Sequence, residues 1–344
     1  MESVLVTGAG APGAYGVINS LKNKGYNVVG CDVKSDVAGS VLCHEFFEIT
    51  FPHEDGYIRQ LLYNCDKYGV NYIIPLVTKE LSILTFHKSD FVNRNITLCA
   101  VDYKIIKLLN NKYLFLKHLF DKDIQKDEFY LATDAMGLSK ATELLGYPNN
   151  KVVIKPVNGN GSRGVRILDD NLDEYELLMN HKPNTIFTTK EEYFRIINNN
   201  KLPDLIVTNF YEGIEVTVDT VFLNGELRAM TTRTRDTIKS GISTSGTFID
   251  SPQINKKINM IAESIKDLNG VIGFQLKQDT NGEFKFIECN PRIQGTSIAA
   301  LGLGINYPLL HLDSFKEKQL NLVAPSNNHK TKYYRVYKEI YRSL

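Results

Sequence analysis

Apolar and polar positions alternate along this chain with two different periods, and the switches between them divide it into three stretches. Over the first hundred residues, strand-like apolar runs at 4–7, 27–32, 72–75 and 96–100 alternate with helical spacing at 15–24, 57–68 and 79–93. Strand, helix and strand in succession form βαβ units, which predict a parallel sheet covered on both faces. Helical spacing returns at 102–109 and 112–120. A smaller α+β block over 128–207 follows, with strands at 152–156 and 165–168 and a long polar stretch at 169–202 expected to decorate the surface. From residue 205 the pattern is again that of strands, at 205–210, 215–223, 226–232, 273–278 and 284–288, with one helix at 255–268. Residues 332–337 read as a closing strand.

Composition narrows the class. A chain of 344 residues, 43% of them hydrophobic, exceeds the size at which one core stops growing, so two or three subdomains are expected. Forty basic against 39 acidic residues, net charge +1, create no bulk field for nucleic acid or an anionic membrane, which leaves small molecules as partners. Five scattered cysteines without a C-x-x-C pair suit reduced thiols in a cytoplasm. No apolar run approaches the roughly 20 residues that span a bilayer, and the N-terminus opens on a strand, so a soluble, unprocessed, cytoplasmic protein is expected.

The chemistry is concentrated in a few runs. In Phe284-Lys285-Phe286-Ile287-Glu288-Cys289-Asn290-Pro291-Arg292, alternation puts Glu288 and Asn290 on one strand face, two oxygen side chains that suit a hard cation. Arg292 follows a proline that ends regular pairing, and its guanidinium can turn toward a phosphate. Upstream, Val152-Val153-Ile154-Lys155-Pro156 ends an apolar strand in a lysine and opens into Asn158-Gly159-Asn160-Gly161-Ser162-Arg163-Gly164, whose backbone can approach phosphate oxygens closely. A G-K-[ST] loop is absent, so the lysine precedes a hairpin lid with Arg163 at its tip. The plainer reading of Lys155 is a strand-end lysine with its stem laid on the surface.

Three further runs carry weaker signals. The link within 205–215 can offer backbone groups to a purine edge with Glu215 beyond it for ribose hydroxyls, unless Glu215 is an ordinary exposed carboxylate. Arg233 and Arg235 share a strand face before glycines and hydroxyl residues, which suits a carboxylate or acyl phosphate, or else a basic surface hairpin. Gly8-Ala9-Gly10-Ala11-Pro12-Gly13 is a G-x-G-x-x-G turn with Asp32 closing the next strand, the dinucleotide fingerprint. It reads equally as a helix start that binds a substrate carboxylate, or as a tight turn alone. The histidines are isolated and form no triad pattern.

Taken in order, the glycine turn, Asn111-Lys112, Val153-Ile154-Lys155-Pro156, 159–165, Glu212-Gly213-Ile214-Glu215, Gly273-Phe274-Gln275 and Glu288-Cys289-Asn290-Pro291-Arg292 resemble the ATP-grasp enzymes, particularly the synthetase halves of the carbamoyl phosphate synthase large subunit. The resemblance runs over essentially the whole chain. It implies an α/β chain with an N-terminal Rossmann-like parallel sheet (1–110) followed by a two-lobed α+β ATP-grasp fold (111–207, with the lid at about 128–207, and 208–344). It implies that Lys112 and Lys155 contact ATP, that Gly159, Gly161, Ser162, Arg163 and Gly164 close over its phosphates, and that Val207, Thr208, Asn209, Phe210 and Tyr211 clamp adenine with Glu215 on the ribose. Gln275, Glu288 and Asn290 would bind magnesium, which manganese could replace, and Arg292 would stabilise the transferred phosphoryl group. The substrate pocket falls to Gly10, Arg233, Arg235, Ser243 and Gln294. Thr208 and Asn209 stand where the family has an acidic or amide pair, and Gln275 stands where many members have a carboxylate. The implied activity is ADP-forming ligation of a carboxylate to an amine through an acyl phosphate, with a homodimer allowed. The alternatives are a phosphorylation module acting on bicarbonate or carbamate with a partner subunit, and an NAD(P)-dependent dehydrogenase.

Overall fold

Five short strands pair in parallel in the order Glu45–Glu48, Asn27–Asp32, Ser3–Thr7, Tyr72–Pro75 and Thr97–Leu98, so the first strand in the chain is the central one. All five residues of Ser3–Thr7 are buried, as a strand covered on both faces requires. The computed structural model describes residues 1–159, 161–180, 185–198, 200–316, 320–323, 331–336 and 338–342. The chain divides into two units, one made of Met1–Leu109, Ile214–Leu276 and Glu288–Leu344, the other of Asn110–Gly213 and Lys277–Ile287.

The parallel sheet shares its core with a second, largely antiparallel sheet, most of which belongs to the first unit. The order there is Thr237–Lys239, Ile242–Ile249, Glu226–Thr234, Glu215–Leu223, Gly270–Gln278 and Phe284–Asn290, with Lys332–Tyr334 pairing against Ile242–Ile249. Val4, Val6, Ile18 and Leu21 from the N-terminal part pack in one cluster with Val221, Phe248, Ile293 and Tyr307. Of the closing strand expected at 332–337, Lys332–Tyr334 forms, and Tyr337 lies outside the described residues.

Helix Tyr307–Ser314 carries a histidine into that core. His311 Nδ1 accepts from the Val271 N–H at 2.8 Å while Nε2 lies 3.0 Å from the Cys99 carbonyl, which fixes a neutral ring with its proton on Nε2. Burial holds its pKa down at about 4. A histidine whose folded pKa lies below its ordinary value of about 6.5 contributes stability that is complete above that value and lost as pH falls toward 4. The urea midpoint is expected to fall between pH 6.5 and 4 by the equivalent of about 3 kcal/mol, and His311→Gln should flatten that part of the curve.

The second unit is built on its own sheet, in the order Phe129–Ala132, Leu205–Asn209, Val152–Pro156, Arg166–Leu168 and Phe187–Thr188. Val152, Ile154, Leu205 and Val207 pack beneath helix Ala135–Leu144, whose start Asp134 caps by accepting from Gly137 N–H at 2.7 Å. The polar stretch expected as decoration holds helices Glu174–Asn180 and Lys190–Ile197; the first buries no residue, while the second contributes Ile197 to the core. Among the described residues no helix is long and apolar enough to cross a membrane.

Candidate functional site

Strand alternation decides where Lys155 points. Ile154 and Val152 face the core of the second unit, so Lys155 takes the opposite face, where it is buried and donates from Nζ to the Ile287 carbonyl at 3.1 Å. The glycine loop begins three residues on, at Asn158. Its base is held by Lys112, buried at the start of helix Lys112–Asp121, which donates from Nζ to the Gly159 carbonyl at 2.7 Å. Gly161, Ser162 and Gly164 all have positive φ, and a Cβ at Gly164 would sit 2.8 Å from the Pro156 ring. The loop therefore turns back over the strand end with Arg163 exposed; Asn160 lies outside the described residues.

The adenine expectation needs narrowing. Val207 and Thr208 lie opposite partners on both sides of a central antiparallel strand, so their backbone groups serve the sheet. Only the chain beyond Asn209 can offer backbone groups to a base. There the Phe210 ring meets Phe187 edge-on at 6.0 Å, with Lys277 Nζ 4.7 Å from its centroid. Burial, then the nearby Asp127 carboxylate, pushes the Tyr211 phenol well above its ordinary pKa.

In the first unit the expected metal and phosphoryl residues form one hydrogen-bonded row. Asn290 Nδ2 donates to Glu288 Oε1 at 2.8 Å, and Arg292 Nη2 donates to Asn290 Oδ1 at 3.2 Å. Arg292 is steadied by Nε on Thr78 Oγ1 at 2.8 Å and Nη1 on the Ile293 carbonyl at 3.1 Å. Gln275 stands on the neighbouring strand. Gly273, two residues before it, is a close approach: a Cβ there would lie 2.0 Å from Gln294 Nε2.

The residues expected at the substrate divide. Arg233 was expected beside a substrate carboxylate and instead lies with no exposure, ion-paired to Asp219 and donating from Nη2 to Thr296 Oγ1 at 2.6 Å. Asp219 also accepts from Gln294 Nε2 at 3.0 Å and Ser297 Oγ at 2.6 Å, so Arg233, Gln294 and the turn after Arg292 are one internal network. Ser243 is fully buried as well, bonded to Tyr333 OH at 2.7 Å. Arg235 pairs through Nε with Glu215 Oε1 at 2.8 Å and donates to the Gly241 carbonyl at 2.9 Å, which joins the residue expected at the acid to the one expected at the ribose. The Gly10 N–H donates to Asp32 Oδ2 at 2.9 Å.

Asp219 and Thr78 were not anticipated. A carboxylate in the middle of the valine- and threonine-rich strand Glu215–Leu223 was the available signal, because an aspartate there must find a buried partner. Removing it leaves the Arg233 charge alone in the core. Asp219→Ala is expected to cost about 3–5 kcal/mol of unfolding free energy in urea, with Asp219→Ala/Arg233→Met recovering part of it.

Residues 201–339 match the family model described as ATP-grasp in the biosynthetic pathway with Ter operon, and residues 4–99 match the PylC-like N-terminal domain. The chain has the ATP-grasp fold. N5-carboxyaminoimidazole synthetase from Staphylococcus aureus, solved with ADP, superposes with a TM-score of 0.71 at 16% identity, over 94% of this chain and 80% of that one. The biotin carboxylase domain of 2-oxoglutarate carboxylase from Hydrogenobacter thermophilus, a dimer solved with MgADP, ADP and bicarbonate, gives 0.69 at 17% identity over 93% and 70%. The L-amino acid ligase from Bacillus licheniformis gives 0.65 at 14% identity over 92% and 74%. At such identities the likeness of this chain to them is one of fold. No curated protein matches its sequence.

Proposed function

We propose that this chain is an ADP-forming ligase that activates a carboxylate with ATP and joins it to an amine. The observation that carries the reading is the row Glu288, Asn290 and Arg292, in which metal-type oxygens and a guanidinium are held within hydrogen-bond reach of one another. A carboxylate oxygen attacks the γ-phosphorus of ATP, and the bond to the bridging oxygen breaks to release ADP. The amine nitrogen then attacks the acyl carbon, the C–O bond to phosphate breaks, and the amine proton passes to solvent. Neither step needs a protein nucleophile. The residues supply charge and position: Lys155 and Lys112 with Gly159, Gly161, Ser162, Arg163 and Gly164 at the phosphates, Tyr211 and its neighbours at the base, Glu215 at the ribose and Arg292 at the phosphoryl group.

The donor set fits magnesium. Among the described residues no three His, Cys, Asp or Glu side chains gather, and one carboxylate with two amide oxygens suits an ion that completes its shell with phosphate oxygens. Glu288, Asn290 and Gln275 would hold it, and when bound it supplies charge neutralisation between the phosphates. Arg235 is the residue proposed to meet the substrate carboxylate, whereas Arg233 acts from the core by fixing Gln294 and Thr296.

The dehydrogenase reading is disfavoured by the turn itself. A Cβ on Gly10 would lie 2.8 Å from Val37 Cγ1 and 3.1 Å from Asp32 Oδ2, so the chain's own segment occupies the face a pyrophosphate would approach. At about 100 times its dissociation constant a ligand stabilises by about 2.7 kcal/mol, so saturating Mg-ATP should raise the melting temperature by several degrees and NADP should not. A shift with NADP and none with Mg-ATP would reverse the assignment.

A further inference from the structure

Gly8, Gly10 and Gly13 make the dinucleotide fingerprint and Gly16 follows them, yet the chain itself fills the space beside these glycines. A Cβ on Gly8 would lie 2.3 Å from Val77 Cγ2. On Gly13, the residue before helix Ala14–Asn23, it would lie 3.0 Å from Gly295 Cα and 3.3 Å from the Gln294 carbonyl oxygen. On Gly16, inside that helix, it would lie 2.4 Å from Ile298 Cγ1. Only glycine lets Val77 and the segment 294–298 come this close.

Both neighbours support one side chain. Arg292 donates from Nε to Thr78 Oγ1 at 2.8 Å, and Thr78 follows Val77 directly. Glu80 locks that corner, accepting from Val77 N–H at 3.0 Å and from the hydroxyl of Thr7, the residue before Gly8, at 2.7 Å. On the other side Arg292 donates from Nη1 to the Ile293 carbonyl at 3.1 Å. Ile293 is buried in one cluster with Ala14 and Val17 of the helix, and Gln294 follows it. The segment then closes on itself, Gln294 N–H donating to Ser297 Oγ at 3.0 Å and Ser297 N–H to the Gln294 carbonyl at 3.2 Å. A push on Gln294 or Ile298 therefore reaches Ile293 through close-packed chain.

We propose that the glycine turn is a positioning element for Arg292: its close contacts fix the two acceptors between which the guanidinium is aimed, and its glycines serve that packing and not a ligand phosphate or carboxylate. The inference rests on the reading that Arg292 stabilises the transferred phosphoryl group. Misplacing such a group by about 1 Å costs roughly a hundredfold in rate, so a methyl that pushes the turn away is felt in the chemical step.

The test adds the same methyl on the two sides of one contact. Gly13→Ala drives it into backbone, whereas at Gly295 a Cβ would meet nothing nearer than Pro12 Cβ at 3.7 Å. With Mg-ATP and a panel of carboxylates, Gly13→Ala is expected to lower kcat for ADP release at least about tenfold while the KM for Mg-ATP changes less than about twofold. Gly295→Ala should change neither. Gly16→Ala should also lose kcat, although alanine is the better helix former, and Ile298→Ala in the same chain should restore much of it. Arg292 is followed directly by NMR. Its Nε–H resonance, assigned by its loss in Arg292→Lys, should shift in Gly13→Ala and Gly16→Ala and stay in place in Gly295→Ala, in chains that circular dichroism shows to be folded. Should Gly13→Ala not fold, Gly16→Ala and its rescue carry the test. An unshifted Arg292 resonance with wild-type kcat in folded Gly16→Ala, equal losses in Gly13→Ala and Gly295→Ala, or no rescue by Ile298→Ala would overturn the proposal. A resonance shifted in Gly16→Ala and returned by Ile298→Ala, in a protein for which no acid supports ADP release, would keep the positioning role and remove the ligase reading.

Discussion

Lys155→Ala is expected to lower ADP release by about a hundredfold or more while leaving the chain folded. The side chain is buried with its ammonium on the Ile287 carbonyl, so its position is set before any ligand arrives. A preorganised cation or donor aimed at developing charge contributes roughly 10²–10³ in rate, because nothing must reorganise during the reaction. Val152 and Ile154, not Lys155, carry the packing of this strand, and the alanine therefore removes charge without removing core. Hydroxylamine gives a second readout. With the correct acid and Mg-ATP it should trap the acyl phosphate as a hydroxamate, and the yield should fall with ADP release in the variant. Undiminished hydroxamate in Lys155→Ala, or AMP and pyrophosphate as products in the wild type, would mean that the acyl-phosphate route is wrong.

The reading of the fold succeeded where burial was two-sided. Asn27–Asp32 and Tyr72–Pro75 are continuous apolar runs bounded by polar residues, and their limits could be read to the residue. Glu45–Glu48 escaped notice because its sequence, EFFE, places a glutamate at each end and exposes both. The helix expected over 79–93 breaks at His87 into Thr78–Phe86 and Lys88–Val92, and no proline or glycine signals the break. The polar stretch at 169–202 folds because Thr189 caps a helix that buries Ile197, a contribution too small for periodicity to show.

The candidate site follows the same division. Glu288, Asn290 and Arg292 lie within five residues on one strand and its exit, so a period of two was enough to bring them together. Arg233 depends instead on register. Asp219 lies opposite Thr231, and the arginine two residues farther along reaches diagonally to it. Strand alternation gave the face of Arg233 and could not tell whether that face meets solvent or core. Once the pair is in place the consequence is mechanical: Asp219 fixes Gln294 and Ser297, and through them the turn that follows Arg292. Thr78 holds the same guanidinium from the start of helix Thr78–Phe86, which also carries Glu80.

Glu288→Gln should reduce turnover by well over tenfold with little change in stability. It is the sole formal negative charge of the proposed metal set, since Gln275 and Asn290 are amides, and a glutamine would leave the phosphates of ATP as the ion's only charged ligands. The loss should be larger at low than at saturating magnesium, because the substitution weakens the ion's hold rather than the reaction of the loaded complex. Raising the metal concentration should therefore recover part of the rate, a rescue that a purely structural role for Glu288 would not show. The Asn290 Nδ2 bond survives in the variant, because a glutamine oxygen can accept in place of the carboxylate, and the urea midpoint is expected to move by less than the equivalent of about 1 kcal/mol. Turnover equal to that of the wild type at low magnesium would show that Glu288 is not a ligand. A fall in rate indifferent to magnesium would assign it to the orientation of Asn290 and Arg292 instead.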